Sequence, residues 1–136
     1  MRIDAYLFFQ KCAAEAMEFY RGVFGGTLTV LRRGDVDPSA PSEQKDLVIN
    51  ASLDAGEFTL RASDHDDATP TAQPRVALSL VGTDEPRLRK IYDELSAGGT
   101  QDSPLQKEFW GDIFGALTDK FGISWQVNIG EAAGVS

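Results

Sequence analysis

The sequence predicts an α+β fold: two tandem βαβββ modules joined in one curved mixed sheet with a concave cavity. Three observations carry this. A strand pattern followed by an amphipathic helix occurs twice along the chain. Both helices run into the same tripeptide, Gly25-Gly26-Thr27 and Gly98-Gly99-Thr100, at an offset of 73 positions. Each helix is then followed by short β-type segments and not by another helix.

In the first module, 1–65, Ile3 to Phe9 reads as a strand, rich in aromatic residues. Ala13–Phe24 reads as a helix, because Ala13, Ala16, Met17, Tyr20 and Phe24 recur at the spacing of one buried stripe. The glycine pair stops it. Thr27 to Leu31 alternates and is β-branched, as a strand should be. The stretch 34–45, with three acids and two prolines, has no periodicity and reads as a mobile surface loop. Leu47 to Leu53 and Glu57 to Ala62 form a hairpin closed by Asp54-Ala55-Gly56. A second polar loop, 63–74, carries His65, the single histidine.

The second module, 73–130, repeats the order. Arg75 to Val81 is a strand, and Thr83 is the expected N-cap of a helix with Asp84, Glu85 and Pro86 in its first turn. That helix runs to Ala97 and buries Leu88, Ile91, Tyr92 and Leu95. A short segment around Leu105 follows. Two strands then face each other across Thr118-Asp119-Lys120-Phe121-Gly122, where Asp opens the turn and Gly accepts positive φ. At the offset of 73, Ile3 falls on Val76 and Phe19 on Tyr92. Residues 131–136 are a tail.

Composition bounds the function. The chain has 136 residues, 42% of them hydrophobic and 25% charged, which fits one soluble domain able to bury a core. No apolar run approaches a membrane span, and no signal or transit peptide is recognisable, so a cytoplasmic protein without membrane association is expected. Cys12 is the single cysteine and cannot form an intrachain disulfide. The net charge of −8 argues against a nucleic-acid partner, which would need clustered Lys and Arg.

Read together, several stretches give the chain a family resemblance. They are Tyr6-Leu-Phe-Phe9, Glu18-Phe-Tyr-Arg-Gly-Val-Phe-Gly-Gly26, Gly56-Glu-Phe-Thr-Leu60, Glu108-Phe-Trp-Gly111, Phe114-Gly115, Thr118-Asp-Lys-Phe-Gly122 and Trp125. Over residues 1–129 the chain resembles the vicinal oxygen chelate superfamily: glyoxalase I, extradiol dioxygenases and bleomycin-resistance proteins. Within it, the chain looks like the PhnB-like proteins, some of which carry a demethylubiquinone methyltransferase label. The resemblance implies the glyoxalase/bleomycin-resistance fold in a single PhnB-like domain, 1–136, and a homodimer.

Metal-dependent members of that superfamily place four ligands on the inner sheet face. Carried over strand by strand, those positions fall on Ala5, Asn50, Arg75 and Gln126. Alanine cannot bind a metal, arginine has no acceptor, and the two amides offer neutral oxygens. No metal site and no cofactor are expected. Asn50, Arg75 and Gln126 then either form a polar floor for a ligand or satisfy one another.

Other candidates are weighed against plainer readings. Trp110 and Phe109 can stack on a planar ligand with Glu108 or Asp112 meeting a cation, or they can pack within the protein. Tyr6 and Phe8 alternate with Ala5 and Leu7, so one pair faces the helix and the other the cavity. Cys12 reads as a small buried hydrophobe, and His65 as part of a solvated loop. There is no glycine-rich strand-to-helix loop for S-adenosylmethionine, so the methyltransferase label finds no support in the residues. The expected ligand-binding set is Tyr6, Phe8, Asn50, Arg75, Trp110, Asp112 and Gln126, with catalytic residues unassigned. The expected function is small-molecule binding in the cavity. The alternative is a superfamily enzyme with an atypical or absent metal site.

Overall fold

The computed structural model describes residues 2–64, 76–109 and 111–130. It divides into two compact units, Met1–Pro70 and Thr71–Ser136. The first contains strand β1 (Ala5–Phe9), helix α1 (Ala13–Phe24), β2 (Thr27–Arg32), the short α2 (Arg33–Val36), β3 (Val48–Asp54) and β4 (Thr59–Asp64). The second contains β5 (Leu78–Gly82), α3 (Glu85–Ser96), β6 (Thr100–Lys107), β7 (Ile113–Thr118) and β8 (Ser124–Ile129). The sheets have the orders β1-β4-β3-β2 and β5-β8-β7-β6. In each, the first strand runs parallel to the last and the other pairs are antiparallel. The fold is α+β, with two four-stranded mixed sheets of the βαβββ kind expected.

Helix and sheet pack through one face in each unit. In α1 the stripe Ala13, Ala16, Met17 and Tyr20 is buried. It faces the sheet side that holds Leu7, Phe9, Leu53, Leu60 and Ala62. In α3 the buried set is Leu88, Ile91, Tyr92 and Leu95, and the corresponding sheet side holds Leu117, Trp125, Val127 and Ile129. Phe24 closes the end of α1 half-buried, its ring edge-on to Phe58 with centroids 5.0 Å apart. Phe19, aligned with Tyr92 by the sequence offset, is only half-buried, whereas its neighbour Tyr20 is fully buried.

Helix α1 receives its N-terminal cap from a distant strand. Cys12 stands at the N-cap without a side-chain cap bond. Instead Asp64, at the end of β4, accepts the Ala13 N–H through Oδ1 at 2.8 Å and the Val48 N–H through Oδ2 at 3.0 Å. One carboxylate thus satisfies a helix start and a strand start, donors that would otherwise be left unpaired.

The two glycine pairs perform one task twice. Gly25 and Gly98 turn the chain out of the helix at φ 76° and 78°. A Cβ on Gly26 would lie 2.2 Å from the Asp54 carbonyl oxygen, and one on Gly99 would lie 2.2 Å from that of Thr118. Each close approach lets the strand after the helix pair at once, Thr27 with Asp54 and Thr100 with Thr118.

Several local expectations change. The cap of α3 is Asp84, whose side chain accepts the Arg87 N–H at 3.2 Å, and not Thr83. The stretch 34–45 is tied down: its start forms α2, Asp35 accepts the Arg32 N–H at 2.9 Å, and the Gly34 N–H reaches the Lys45 carbonyl at 3.0 Å. Residues 76 and 77 are not extended into the fifth strand, which begins at Leu78. The segment around Leu105 is a full eight-residue strand, β6.

Candidate functional site

In the first unit the sheet side away from α1 is built by the alternation of its strands. β1 contributes Tyr6 and Phe8. In register beside Tyr6 on β4 stands Arg61, and beside Phe8 stands Ser63. β3 adds Ser52 next to Arg61, and the exposed Asn50 lies one alternation further along. Ala5 falls on the other side with Leu7 and Phe9, so the first-strand metal-ligand position carried over to Ala5 does not lie on the open face, whereas Tyr6 and Phe8 do. The reason is the pleat: Leu7 and Phe9 are buried and fix the phase of the strand.

Tyr6 and Phe8 form a ring pair on this face, with centroids 5.1 Å apart and planes tilted by 37°. They keep 42% and 65% of their surface exposed. Large aromatic side chains left this open on a strand present ready stacking surface. Beside them Asp4 lies between two guanidinium groups. Arg61 donates from Nε to Oδ2 at 3.2 Å, and Arg2 Nε stands 3.1 Å from Oδ1. These groups border an open pocket of about 450 Å³ that also reaches Asp54, Glu57 and Phe58.

The open side of the second sheet is chemically different. Ser79 and Val81 of β5 occupy the places next to Gln126 and Asn128 of β8. Gln126 is half-buried between Ser79 and Ala116. Asn128 lies opposite Phe114 and donates through Nδ2 to Asp112 Oδ2 at 3.0 Å. Asp112 retains only 7% of its exposure, so this carboxylate is a buried acceptor at the mouth of β7. The loop before it is closed by the Glu108 N–H to the Asp112 carbonyl, 2.8 Å, and leaves Phe109 96% exposed.

Of the expected set, Tyr6, Phe8 and Asn50 share the first open face, and Asp112 and Gln126 belong to the second unit. Arg75, Trp110 and His65 lie outside the described residues. Sequence reasoning missed Arg61, Asp4 and Asn128. The signal for Arg61 was present in Thr59-Leu60-Arg61-Ala62-Ser63, whose alternation puts Arg61 on the polar side.

These faces do not suit a divalent metal. β1 offers two aromatic rings, β4 a guanidinium, and β8 two neutral amides. Among the described residues no three His, Cys, Asp or Glu side chains come together in a way that could hold an ion. A guanidinium donates only, and an amide oxygen is a poor substitute for imidazole or carboxylate at such a centre. Nor, among the described residues, is there a nucleotide-type phosphate loop. The turn from β1 to α1 consists of Gln10, Lys11 and Cys12, and the sheets are not doubly wound parallel sheets.

Comparison with known proteins places the chain. A family model described as 3-demethylubiquinone-9 3-methyltransferase matches residues 1–128. The crystal structure of PA1353 from Pseudomonas aeruginosa is 34% identical, with a TM-score of 0.82 and coverage of 95% of this chain and 97% of that one. The PhnB protein from Bacillus cereus is 25% identical, with a TM-score of 0.79 over 96% of this chain and all of the other, 100%. A glyoxalase/bleomycin resistance protein/dioxygenase family enzyme from Burkholderia phytofirmans PsJN shares the fold at 16% identity, with a TM-score of 0.62 and coverage of 93% and 98%. A family model spanning nearly the whole chain supports one assignment: the chain belongs to the family described as 3-demethylubiquinone-9 3-methyltransferase, the PhnB-like proteins, and it shares its fold with the glyoxalase/bleomycin resistance group.

Proposed function

We propose that this protein binds a small, partly planar molecule on the open face of its first sheet, by stacking and hydrogen bonds and not through a chelated metal. The observation that carries the reading is the exposed Tyr6–Phe8 pair standing beside Arg61. Rings of this kind supply contact area at low entropic cost, and a neighbouring guanidinium orients a polar substituent. Asn50 and Ser52 add hydrogen-bonding capacity on the same face. The side chains available explain why recognition, and neither chelation nor methyl transfer, is the chemistry favoured.

The test is calorimetric titration with a panel of planar aromatic compounds of either charge, on metal-stripped protein and after adding Zn²⁺ or Mn²⁺. Binding by the stripped protein that weakens at least tenfold in Phe8→Ala, with an unchanged melt, is the expected result. Binding that appears only with metal, or that ignores the Phe8 change, would overturn the reading.

We also propose that two copies associate, in keeping with the exposed apolar side chains Ile3, Val76 and Phe109. Sedimentation equilibrium giving the monomer mass at tens of micromolar protein would refute it.

A further inference from the structure

The pocket at the hairpin end of the first sheet holds charges of both signs. Arg61 and Arg2 stand on one side, with Asp4 between them. Asp54 and Glu57 stand at the other side, around the turn that joins β3 to β4. The spacing follows from the register. Asp54 lies opposite Thr59, and Arg61 is the next residue on that face of the same strand. Two residues along a strand is roughly 7 Å.

Arg61 meets Asp4 through Nε, at 3.2 Å, and among the described residues no bond joins it to Asp54. Asp54 uses Oδ1 to accept the Gly56 N–H at 3.0 Å and so holds the turn. Asp54 itself borders the pocket.

From this arrangement we infer that the pocket takes a small zwitterion, with its oxyanion against Arg61 and its ammonium against Asp54. The inference rests on the reading of the open face as a ligand site and names the charge pattern that the ligand carries. A singly charged molecule meets one favourable group and one repulsive one. A neutral molecule leaves both ends of the pocket to water. A short zwitterion satisfies both ends, and two charge-assisted hydrogen bonds at fixed separation select its length. The planar part of a larger ligand then extends along β1 towards Tyr6 and Phe8, because Tyr6 is in register with Arg61.

The experiment is calorimetric titration of the full chain at low salt with glycine, 3-aminopropanoate, 4-aminobutanoate, propanoate and propylamine. One of the three zwitterions is expected to bind at least tenfold more tightly than propanoate and propylamine. Arg61→Gln and Asp54→Asn are each expected to abolish that advantage, while thermal melts show both variants folded. Arg61→Lys, which keeps the charge and loses the fork, serves if Arg61→Gln does not fold, and is expected to retain part of the preference. Equal binding of propanoate and the zwitterions, or a preference untouched by the variants, overturns this inference. In that case aromatic ligands that still depend on Phe8 leave the reading of the face intact. Failure of every probe, zwitterionic and aromatic alike, overturns both.

Discussion

The indole of Trp125 donates from Nε1 to Asp119 Oδ2 at 2.9 Å, inside the second unit, where the two residues keep 2% and 3% of their exposure. The same carboxylate holds the turn that precedes β8. Its Oδ1 accepts the N–H groups of Phe121 and Ile123 at 2.9 and 3.0 Å. Asp119 therefore links the local geometry of a five-residue turn to the seating of the largest side chain in the core. Replacing it with Ala removes the acceptor of one buried donor and two part-buried ones, at about 1–3 kcal/mol for each donor that water cannot reach. Asp119→Ala is expected to lose at least about 3 kcal/mol in urea denaturation followed by tryptophan fluorescence. Asp119→Asn, which keeps one acceptor oxygen, should lose less.

Asp64 makes the analogous prediction in the first unit. Its removal unpairs the start of α1 and the start of β3 together. Asp64→Ala should cost about 2 kcal/mol, more than the loss of an ordinary exposed cap. Installing Ser at position 12 alongside it, as Cys12→Ser, should recover part of the helical half of that loss. Hydrogen exchange at Ala13 and Val48 would read the two halves separately.

Tyr92 sets an alkaline limit. Its hydroxyl donates to the Ser103 carbonyl at 2.7 Å in a buried position. Burial pushes the phenol up from its ordinary value, and the negative charges of Asp102 and Asp93 add to the effect. A group with a raised folded pKa contributes stability below its unfolded value, about 10, and that contribution is lost as pH rises through the folded value. Melting temperature should therefore fall above about pH 10. Tyr92→Phe should flatten that fall, at a cost of about 1 kcal/mol at neutral pH.

The glycines give a matched control. At Gly22, on α1, an added Cβ meets nothing within 4 Å. Gly22→Ala should stabilise the protein by about 0.5–1 kcal/mol. Gly26→Ala and Gly99→Ala drive a methyl into backbone and should destabilise by about 3 kcal/mol or more. Thermal melts of the three variants should show the first shift upward and the other two downward.

What could be read in the sequence was what local periodicity encodes. The bounds of α1, the buried residues of α3, the β3–β4 and β7–β8 hairpins and the doubling of the module all follow from spacing and turn residues. The strand β6, Thr-Gln-Asp-Ser-Pro-Leu-Gln-Lys, was only partly visible, because a polar edge strand with Pro104 is made by its partner β7 and not by its own propensity. The phase of β1 was ambiguous at Ala5, whose small side chain suits either face. The roles of Asp64 and Asp119 depend on partners that only the fold assembles, or on atoms whose direction spacing does not give. Arg61 carries no metal-ligand signal in the sequence, because a guanidinium, which only donates, is the opposite of a metal ligand.

The glycine pairs that open β2 and β6 repeat in backbone, but the strands they serve do not repeat in chemistry. At the same offset of 73, Tyr6 and Phe8 become Ser79 and Val81. The residue in register with Tyr6 is Arg61, and the one in register with Ser79 is Gln126. Two halves with one frame thus place Tyr6, Phe8 and Arg61 on one open face and Ser79, Val81 and Gln126 at the matching positions of the other. Saturation should accordingly come at a single equivalent of ligand per chain, and a stoichiometry of two would mean that the halves are functional copies as well as structural ones.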